Sequence, residues 1–379
     1  MTSAQRESAE RERRAPRARG EMRTLIVGAG VAGLTLTALL RQRGREPVLV
    51  HRAESFDELG YMLGLYHLGS RVLHGLDLFE AARERAVLMR RYEIYDGDGR
   101  LLHGYDLEEL TRRFGSPLGI SRPSHMEILL ERVGRENVRT GTTVQALEQG
   151  DGEVRVRLSD GTSGTFDLVV AADGLHSDTR GLILDEDEHA YGEYWGAGRF
   201  VGIYPTGDGL GVFLGGPDDE IRDEGPRALL DRLRDRFRCH GSDLADVLDA
   251  VEPGDDPLFW DFHDGRSEAW RKGRVVLLGD AAAGFLPTAG IGASMAMESA
   301  AALADELSRT NDRFLEAALD LFEKRRRSRV ESAQDSSREL GRMMFVGPRA
   351  LAWGHDQLVK AYSLERLIRG IADLVEKPV

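Results

Sequence analysis

Three glycines near the N-terminus have the type and spacing of a loop that holds phosphate. The sequence TLIVGAGVAGLTLTALL places Gly28, Gly30 and Gly33 between an apolar run and a segment with helical spacing. In such a strand–loop–helix unit, the first glycine allows a tight turn and the second lets backbone amides approach a pyrophosphate. The third permits close packing of helix on strand, and the helix N-terminus adds partial positive charge. This context predicts that the chain binds a dinucleotide, with NAD, NADP and FAD all open.

The end of the second strand departs from the usual partner of such a loop. The segment PVLVHRAES places His51 and Arg52 where a ribose-binding Asp or Glu is expected. A His-Arg pair could bind a 2′-phosphate, so NADP is one interpretation of this strand. In the other interpretation, a ring nitrogen of a mostly neutral histidine accepts a hydrogen bond from a ribose hydroxyl.

Two later segments each place an aspartate and a glycine at the end of an apolar strand. DLVVAADGLHSDTR ends its strand at Asp173 and Gly174, and GRVVLLGDAAAGF ends its strand at Asp280. Taken singly, each of these is an ordinary turn. Together with the glycine loop, and in this order, they form a pattern that is specific to one kind of protein.

The ordered motifs resemble those of the single-component, FAD-dependent aromatic-ring monooxygenases, the para-hydroxybenzoate hydroxylase-like flavoproteins. The resemblance runs from about residue 22 to residue 310. It rests on the glycine loop, on GISRPSHMEILL around Arg122, on ADGLHSDTR and on GRVVLLGDAAAGFLPTAGIGAS. It implies an enzyme that uses FAD, NADPH or NADH, and O2 to oxygenate a small hydrophobic, aromatic or polyketide-like substrate through a C4a-hydroperoxyflavin.

The resemblance also implies roles for individual residues. Asp280 would hydrogen-bond the ribityl chain of FAD, and Arg122 would lie near the ribityl–pyrophosphate part. Asp173 and Gly174 would serve both the cofactor and the nicotinamide donor, and His51 would be a weakened FAD contact. The implied cofactor-binding residues are Gly28, Gly30, Val31, Ala32, Gly33, His51, Arg52, Arg122, Asp173, Gly174, Asp280, Pro287, Gly290, Ile291, Gly292 and Ala293. Pro287 and the turn at 290–292 would lie beside the isoalloxazine ring.

Besides His51, where the family usually has glutamate, three further positions differ from the residues that the family usually has. Ala283 stands in place of a histidine, and Ile291 and Ser294 stand in place of glutamine and asparagine. The changes at Ala283 and Ile291 remove polar groups beside the expected flavin. We expect them to affect substrate scope or redox properties.

Catalytic residues stay unassigned because the cofactor performs the difficult chemistry. Candidates for a base or a hydrogen-bond donor are Tyr61, His67 and Tyr194. Tyr61, Tyr66 and His67 all follow the second predicted strand. The candidate substrate contacts in the β-rich segment are Tyr191, Trp195 and Phe213, although aromatic residues on the inner face of a sheet are more often core.

Composition limits the partners. The chain has 379 residues, a formal net charge of −13 and a single cysteine. The negative charge argues against nucleic acid as the main partner, and no apolar run reaches the roughly 18 residues of a membrane span. One cysteine excludes an internal disulfide and a CxxC pair, which fits a cytoplasmic location. We expect no metal, a small hydrophobic substrate together with O2, and a chain compatible with a homodimer.

The elements that must position these residues predict an α/β fold. It comprises a Rossmann-like FAD-binding domain with a mainly parallel sheet, an inserted β-sheet substrate domain and C-terminal helices. The predicted parts are a disordered tail at 1–21, an FAD-binding domain at 22–75, 98–185 and 268–340, a substrate domain at 76–97 and 186–267, and C-terminal helices at 341–379. Met22 stands directly before the first strand and is a candidate start.

Three other functions compete with this interpretation. A flavin-dependent halogenase would carry a Trp-x-Trp-x-Ile-Pro segment and an early lysine, whereas the first lysine here is Lys272. An FAD-dependent reductase of isoprenoid-type double bonds stays open and would use little O2. A non-catalytic flavin- or nucleotide-binding protein also stays open, with His51 and Ala283 as marks of lost activity.

Overall fold

The computed structural model describes most of the chain between residues 22 and 344. The described residues are 22–56, 62–95, 101–108, 111–112, 115, 117–150, 152–184, 189–193, 200–206, 209–215, 227–228, 230–231, 234, 263–286 and 290–344. The helices in this part are α1 Val31–Gln42, α2 His67–Gly75, α3 Phe79–Glu84, α4 Arg122–Val133, α5 Asp178–Gly181, α6 Gly292–Ser308 and α7 Leu315–Met344.

The strands in the described part of the chain form six sheets. They are β1 Thr24–Val27, β2 Val48–Val50, β3 Met62–Leu65, β4 Ala86–Leu88, β5 Arg91–Tyr95, β6 Leu101–Asp106, β7 Leu118–Ser121, β8 Val138–Arg139, β9 Val144–Gly150, β10 Glu153–Leu158, β11 Ser163–Phe166, β12 Leu168–Ala171, β13 His189–Glu193, β14 Phe200–Thr206, β15 Gly209–Gly215, β16 His263–Ser267, β17 Arg271–Lys272, β18 Val275–Leu277 and β19 Ala283–Gly284. The predicted α/β class with a mainly parallel sheet is confirmed; the division into two domains stays a prediction.

The largest sheet has the order β17-β18-β12-β1-β2-β8. All its pairings are parallel except that of β17 with β18 at one edge. Its central strands TLIV, LVVA and VVL are buried at every position, as expected for a parallel sheet that is covered on both faces. These continuous apolar runs therefore make the sheet the core of the cofactor region.

Helix α1 is buried along most of its length because it packs against both α6 and α4. Residues 32–40 are all buried, including Thr35 and Thr37, and the Thr37 hydroxyl donates to the Gly33 carbonyl at 2.8 Å. A helix that is apolar on all sides belongs inside a protein. The glycine loop at its start is thereby fixed between the sheet and two helices.

The smaller sheets are antiparallel. In β10 the buried residues alternate with exposed charges, as in a sheet with one solvated face. Two of the smaller sheets contain a strand that adjoins a predicted motif in the sequence. In the sheet β3-β7-β4, β7 leads directly into α4, which begins at Arg122. In the sheet β13-β16-β19, β19 follows Asp280. The pair β14-β15 lies in the predicted substrate segment.

The arginine-rich segment of α7 is used for packing. Arg325 pairs with Asp305 and Glu306, and Arg327 pairs with Glu323 and Glu331. The buried Arg326 and Arg329 both contact the buried carboxylate of Glu298 on α6, at 2.7 and 2.9 Å. Burying these charges is tolerable because they are paired and hydrogen-bonded. The ion pairs join α7 to α6.

None of the helices in the described part of the chain is long and apolar enough to cross a bilayer.

Candidate active site

Three loops meet at one edge of the large sheet. Strands β1, β12 and β18 are parallel neighbours, so their carboxyl ends lie side by side. The glycine loop follows β1, Asp173 follows β12 and Asp280 follows β18. The carboxyl ends of parallel strands are where ligands bind in open α/β sheets. The structure therefore brings the separate sequence motifs together.

Glycines make this close approach of backbones feasible. A Cβ atom on Gly28 would lie 2.3 Å from the Ala172 carbonyl oxygen, and one on Gly33 would lie 1.9 Å from the Gly28 carbonyl oxygen. A Cβ on Gly279 would lie 2.8 Å from that of Ala32. Gly28 and Gly279 also have φ angles of 103° and 63°, where side chains are strained. Only glycine at these positions therefore lets the three loops lie this close together.

Gly30 is the exception, because its missing side chain leaves open space. A Cβ there would meet nothing within 4 Å, and φ is −82°. Gly30 is also the N-cap of α1, and no side chain caps the free amides of that helix. Free amides and the helix dipole favour an anion. The open cradle before Val31 and Ala32 therefore fits the pyrophosphate of a dinucleotide such as FAD.

Asp280 is placed to accept hydrogen bonds from a ligand bound at the same edge of the sheet. Its side chain is exposed to the cleft, yet the protein around it desolvates the carboxyl enough to raise its pKa to about 6, while the charge of Arg122 opposes this shift. The accessible surface of this carboxylate faces a cavity that it lines with Gly279 and Gly292. An ionised carboxylate offers only acceptors, which suits sugar or ribityl hydroxyls.

The 17-residue helix α6 begins at Gly292, shortly after the loop that carries Asp280. Gly290 has φ of 59°, and the N-cap residue Ile291 makes no side-chain hydrogen bond to the helix. The amides of Gly292 and Ala293 therefore belong to a first turn without a side-chain cap, a second dipole end that favours negative charge. Ala283 lies against this turn, lining a small cavity with Gly292 and Asp280.

His51 contacts the glycine loop. Its Nδ1 accepts a long hydrogen bond, 3.4 Å, from the Ala29 amide, and its ring stacks on Phe56 with centroids 5.1 Å apart. Arg52 is exposed. A histidine in this arrangement presents its imidazole at the position where a carboxylate is usual, next to the loop that would hold the dinucleotide.

We predict that His51→Glu tightens FAD binding roughly tenfold. A carboxylate would accept from the ribose hydroxyls, whereas the neutral imidazole, whose Nδ1 accepts from the Ala29 amide, offers only its Nε2–H as a donor. A charged hydrogen-bond partner gains ~1–2 kcal/mol over a neutral one. Titration of the apoprotein with FAD, followed by flavin fluorescence, measures the dissociation constant. His51→Gln, a neutral acceptor, is the matched control and should change the constant little. Equal constants for the glutamate variant and the parent chain would show that position 51 does not face the ribose.

Asp173 organises its own loop. Its carboxylate accepts hydrogen bonds from the Ser177 hydroxyl and from the amide and hydroxyl of Thr179. The buried guanidinium of Arg180 then donates to the carbonyls of Leu175 and Ala281, at 2.8 and 3.0 Å. The loop after β12 is thereby tied to the loop that carries Asp280. Gly174, with φ of 91°, allows the chain to turn directly after Asp173.

His125 is a buried polar residue one turn after Arg122. It is fully buried, and neither ring nitrogen has a hydrogen-bond partner. Desolvation, with the charge of Arg122, lowers its pKa to about 4 from the usual 6.5. Between pH 4 and pH 6.5, His125 therefore stays neutral in the folded protein but is protonated in the unfolded chain.

Acid should accordingly destabilise the protein through His125. The stabilising effect of the neutral ring is complete above pH 6.5 and is lost as the pH falls toward 4, at most ~1.4 kcal/mol per pH unit. His125→Leu should remove this part of the acid sensitivity and stabilise the protein by ~1–3 kcal/mol at pH 7, because no buried nitrogen stays unpaired. Urea unfolding from pH 7 to 4 measures both effects. An unchanged pH slope in the variant would contradict the assignment.

The structure describes only some of the remaining predicted site residues. Tyr61, Tyr194, Trp195 and Pro287 lie outside the described residues. His67 begins α2 and is only 1% exposed, so it does not face an open cleft. Tyr191 lies on β13 and Phe213 on β15. Within the described part of the chain, no group of three or more His, Cys, Asp or Glu side chains could hold a metal ion.

Sequence reasoning missed one contact at the start of α6. The Ser294 hydroxyl accepts a hydrogen bond from the Tyr66 amide at 3.0 Å, and Ser294 is fully buried. A Cβ on Gly69 would lie 3.0 Å from the same hydroxyl oxygen. The only signal in the sequence was a small residue at 294 in place of a larger amide.

Comparison with known proteins gives consistent matches. The FAD binding domain family matches residues 21–192 and 212–337. The 2-heptyl-3-hydroxy-4(1H)-quinolone synthase of Pseudomonas aeruginosa is 30% identical over 85% of this chain and 89% of its own length. The 3-amino-4-hydroxybenzoate 2-monooxygenase of Streptomyces cremeus is 30% identical over 75% of this chain and 78% of its own length. The structure of Klebsiella pneumoniae HpxO complexed with FAD and uric acid has the same fold, with a TM-score of 0.78, 24% identity and coverage of 93% and 96% of the two chains.

Proposed function

This chain belongs to the FAD-dependent aromatic-ring monooxygenases, and on that basis we propose that it oxygenates a small hydrophobic molecule, aromatic or polyketide-like. NADPH or NADH and O2 are its co-substrates in this proposal. The observation that carries it is the proximity of Asp280 to two helix N-termini that lack a side-chain cap: Asp280 and Gly292 of α6 line one cavity, and Gly279 lies against Ala32 of α1. Two relatives carry names that describe a quinolone and an aminohydroxybenzoate, which supports an aromatic substrate.

FAD supplies the redox chemistry and the reaction with O2 when it is bound. In our proposal the protein holds it from one end to the other. The amides of Gly30, Val31 and Ala32 bind the pyrophosphate, and His51 contacts the adenosine ribose. Asp280 accepts from the ribityl hydroxyls, with Arg122 beside it. Each group offers the donor or acceptor that its part of the cofactor requires.

The start of α6 provides the electrostatic part of the proposal. Reduced flavin carries negative charge at its pyrimidine end, and the free amides of Gly292 and Ala293 point from a positive dipole end. Such donors stabilise charge most in a site that excludes water. The chain's residues thus bind and orient the cofactor and stabilise its negative charge, while the pocket selects the substrate. A cytoplasmic location is part of the proposal, since a single cysteine suits a reducing compartment.

The test is a screen of aromatic and polyketide-like compounds for faster NADPH or NADH oxidation by the purified protein, followed by mass spectrometry under 18O2. We expect a product that has gained one labelled oxygen atom. A product that gains two hydrogen atoms and no oxygen would identify a double-bond reductase instead. A protein that binds FAD yet oxidises neither nicotinamide, with any compound, would identify a non-catalytic flavin-binding protein.

A further inference from the structure

Tyr66 lies where strand β3 ends and α2 begins, against the turn that precedes α6. A Cβ on Gly290 would lie 3.8 Å from both Cε2 and Oη of Tyr66, and one on Gly64 would lie 3.5 Å from Cε2. One edge of the phenol ring therefore packs on two glycines from different elements. A Cβ at either position would meet the ring at ordinary van der Waals distance, so the ring lies close beside both glycines.

The backbone of Tyr66 is fixed to the same region. Its amide donates to Ser294 in the first turn of α6, at 3.0 Å. Further along the two helices, Arg71 on α2 pairs with the buried Glu298 on α6 at 3.2 Å. Helix α2 is thus attached to α6 at two levels, and Tyr66 is the level nearest the start of α6.

Among the described residues, the turn beside Tyr66 has no side-chain cap of its own. Gly290 has φ of 59°, a conformation that glycine adopts without strain but does not enforce. No side chain caps α6 at Ile291. The Tyr66 ring lies against the turn from outside and restricts the conformations that Gly290 can adopt.

We propose that Tyr66 is a positioning residue that fixes the turn at 290–292, so that the free amides of α6 keep their alignment toward the reduced cofactor. The inference rests on the proposed function, in which FAD lies against this turn. Its consequence is electrostatic: loosening the turn weakens the preference of the site for the more negatively charged, reduced cofactor.

The experiment compares the reduction equilibrium of bound FAD in the parent chain and in variants, by anaerobic titration against a reference dye. Tyr66→Ala, with Tyr66→Leu as a second truncation, should shift the equilibrium roughly tenfold toward oxidised FAD, equivalent to ~30 mV for two electrons. Tyr66→Phe keeps the ring and should behave as the parent chain. Met89→Ala is the matched control, because the Met89 methyl group would also lie within 3.9 Å of a Cβ on Gly64 without being a contact of Gly290.

The outcomes separate the claims. An unchanged equilibrium in both truncations overturns the positioning role, as does an equal shift in Tyr66→Phe or in Met89→Ala. Retention of the parent equilibrium by Tyr66→Phe, with a shift in the truncations alone, supports it. A parent chain that binds no FAD at all would overturn the proposed function itself, before any variant is compared.

Discussion

Gly30→Ala is expected to leave the protein folded while weakening FAD binding roughly a thousandfold. The substitution adds a methyl group to a position with ordinary φ and nothing within 4 Å, so the fold has room for it. The same methyl group would enter the space where the pyrophosphate approaches the amides of α1. Overlap there costs ~1–3 kcal/mol, and each charge-assisted hydrogen bond that is lost costs ~1.5–3 kcal/mol, which together give about three orders of magnitude.

Thermal unfolding of the apoprotein and FAD titration measure the two effects separately. Gly75→Ala is the matched control, because a Cβ at Gly75 also meets nothing within 4 Å but lies at the end of α2. It should change neither quantity appreciably. A Gly30→Ala protein that is folded and binds FAD as tightly as the parent chain would show that the cradle is not the pyrophosphate site.

Asp280→Asn is expected to change binding and stability in opposite directions. Loss of the charged acceptor should weaken FAD binding by about tenfold to a hundredfold, because hydrogen bonds to charged groups contribute ~1.5–3 kcal/mol. The apoprotein should become more stable, because desolvation raises the pKa of this carboxyl to about 6. An unfolded aspartate ionises near pH 3.9, so keeping the folded carboxylate charged is unfavourable.

The pH dependence identifies the residue. The stabilising effect of the protonated carboxyl is complete below about pH 4 and is lost as the pH rises through about 6. The difference in melting temperature between the variant and the parent apoprotein should therefore be small at pH 4 and largest above pH 6. A variant that is less stable than the parent chain at pH 7 would mean that Asp280 has a structural role rather than a binding role.

The sequence predicted the cofactor end of the molecule well, because there one set of residues determines both fold and site. The runs TLIV, LVVA and VVL are apolar throughout, which indicates parallel strands, and each leads directly into its motif. The glycines at 28 and 33 are required by backbone contacts that any such loop must make. Strand order and loop position could therefore be inferred together.

Other features depend on contacts that local patterns do not encode. The ion pairs of Glu298 join three helices, and nothing in the spacing of their charges along the chain specifies partners so far apart. The hydrogen bond from Ala29 to His51 depends on how β2 lies beside β1. The Tyr66 contact with Gly290 joins segments more than two hundred residues apart. The substrate contacts stay predictions for the same reason, since aromatic residues on a sheet serve core and pocket alike.

The most direct test of the account is the visible absorbance spectrum of the purified protein after incubation with FAD, recorded before and after anaerobic addition of NADPH and of NADH. We expect the absorbance bands of bound oxidised flavin, which bleach with at least one of NADPH and NADH and return when O2 is admitted. A correctly folded protein that stays colourless with excess FAD would contradict it.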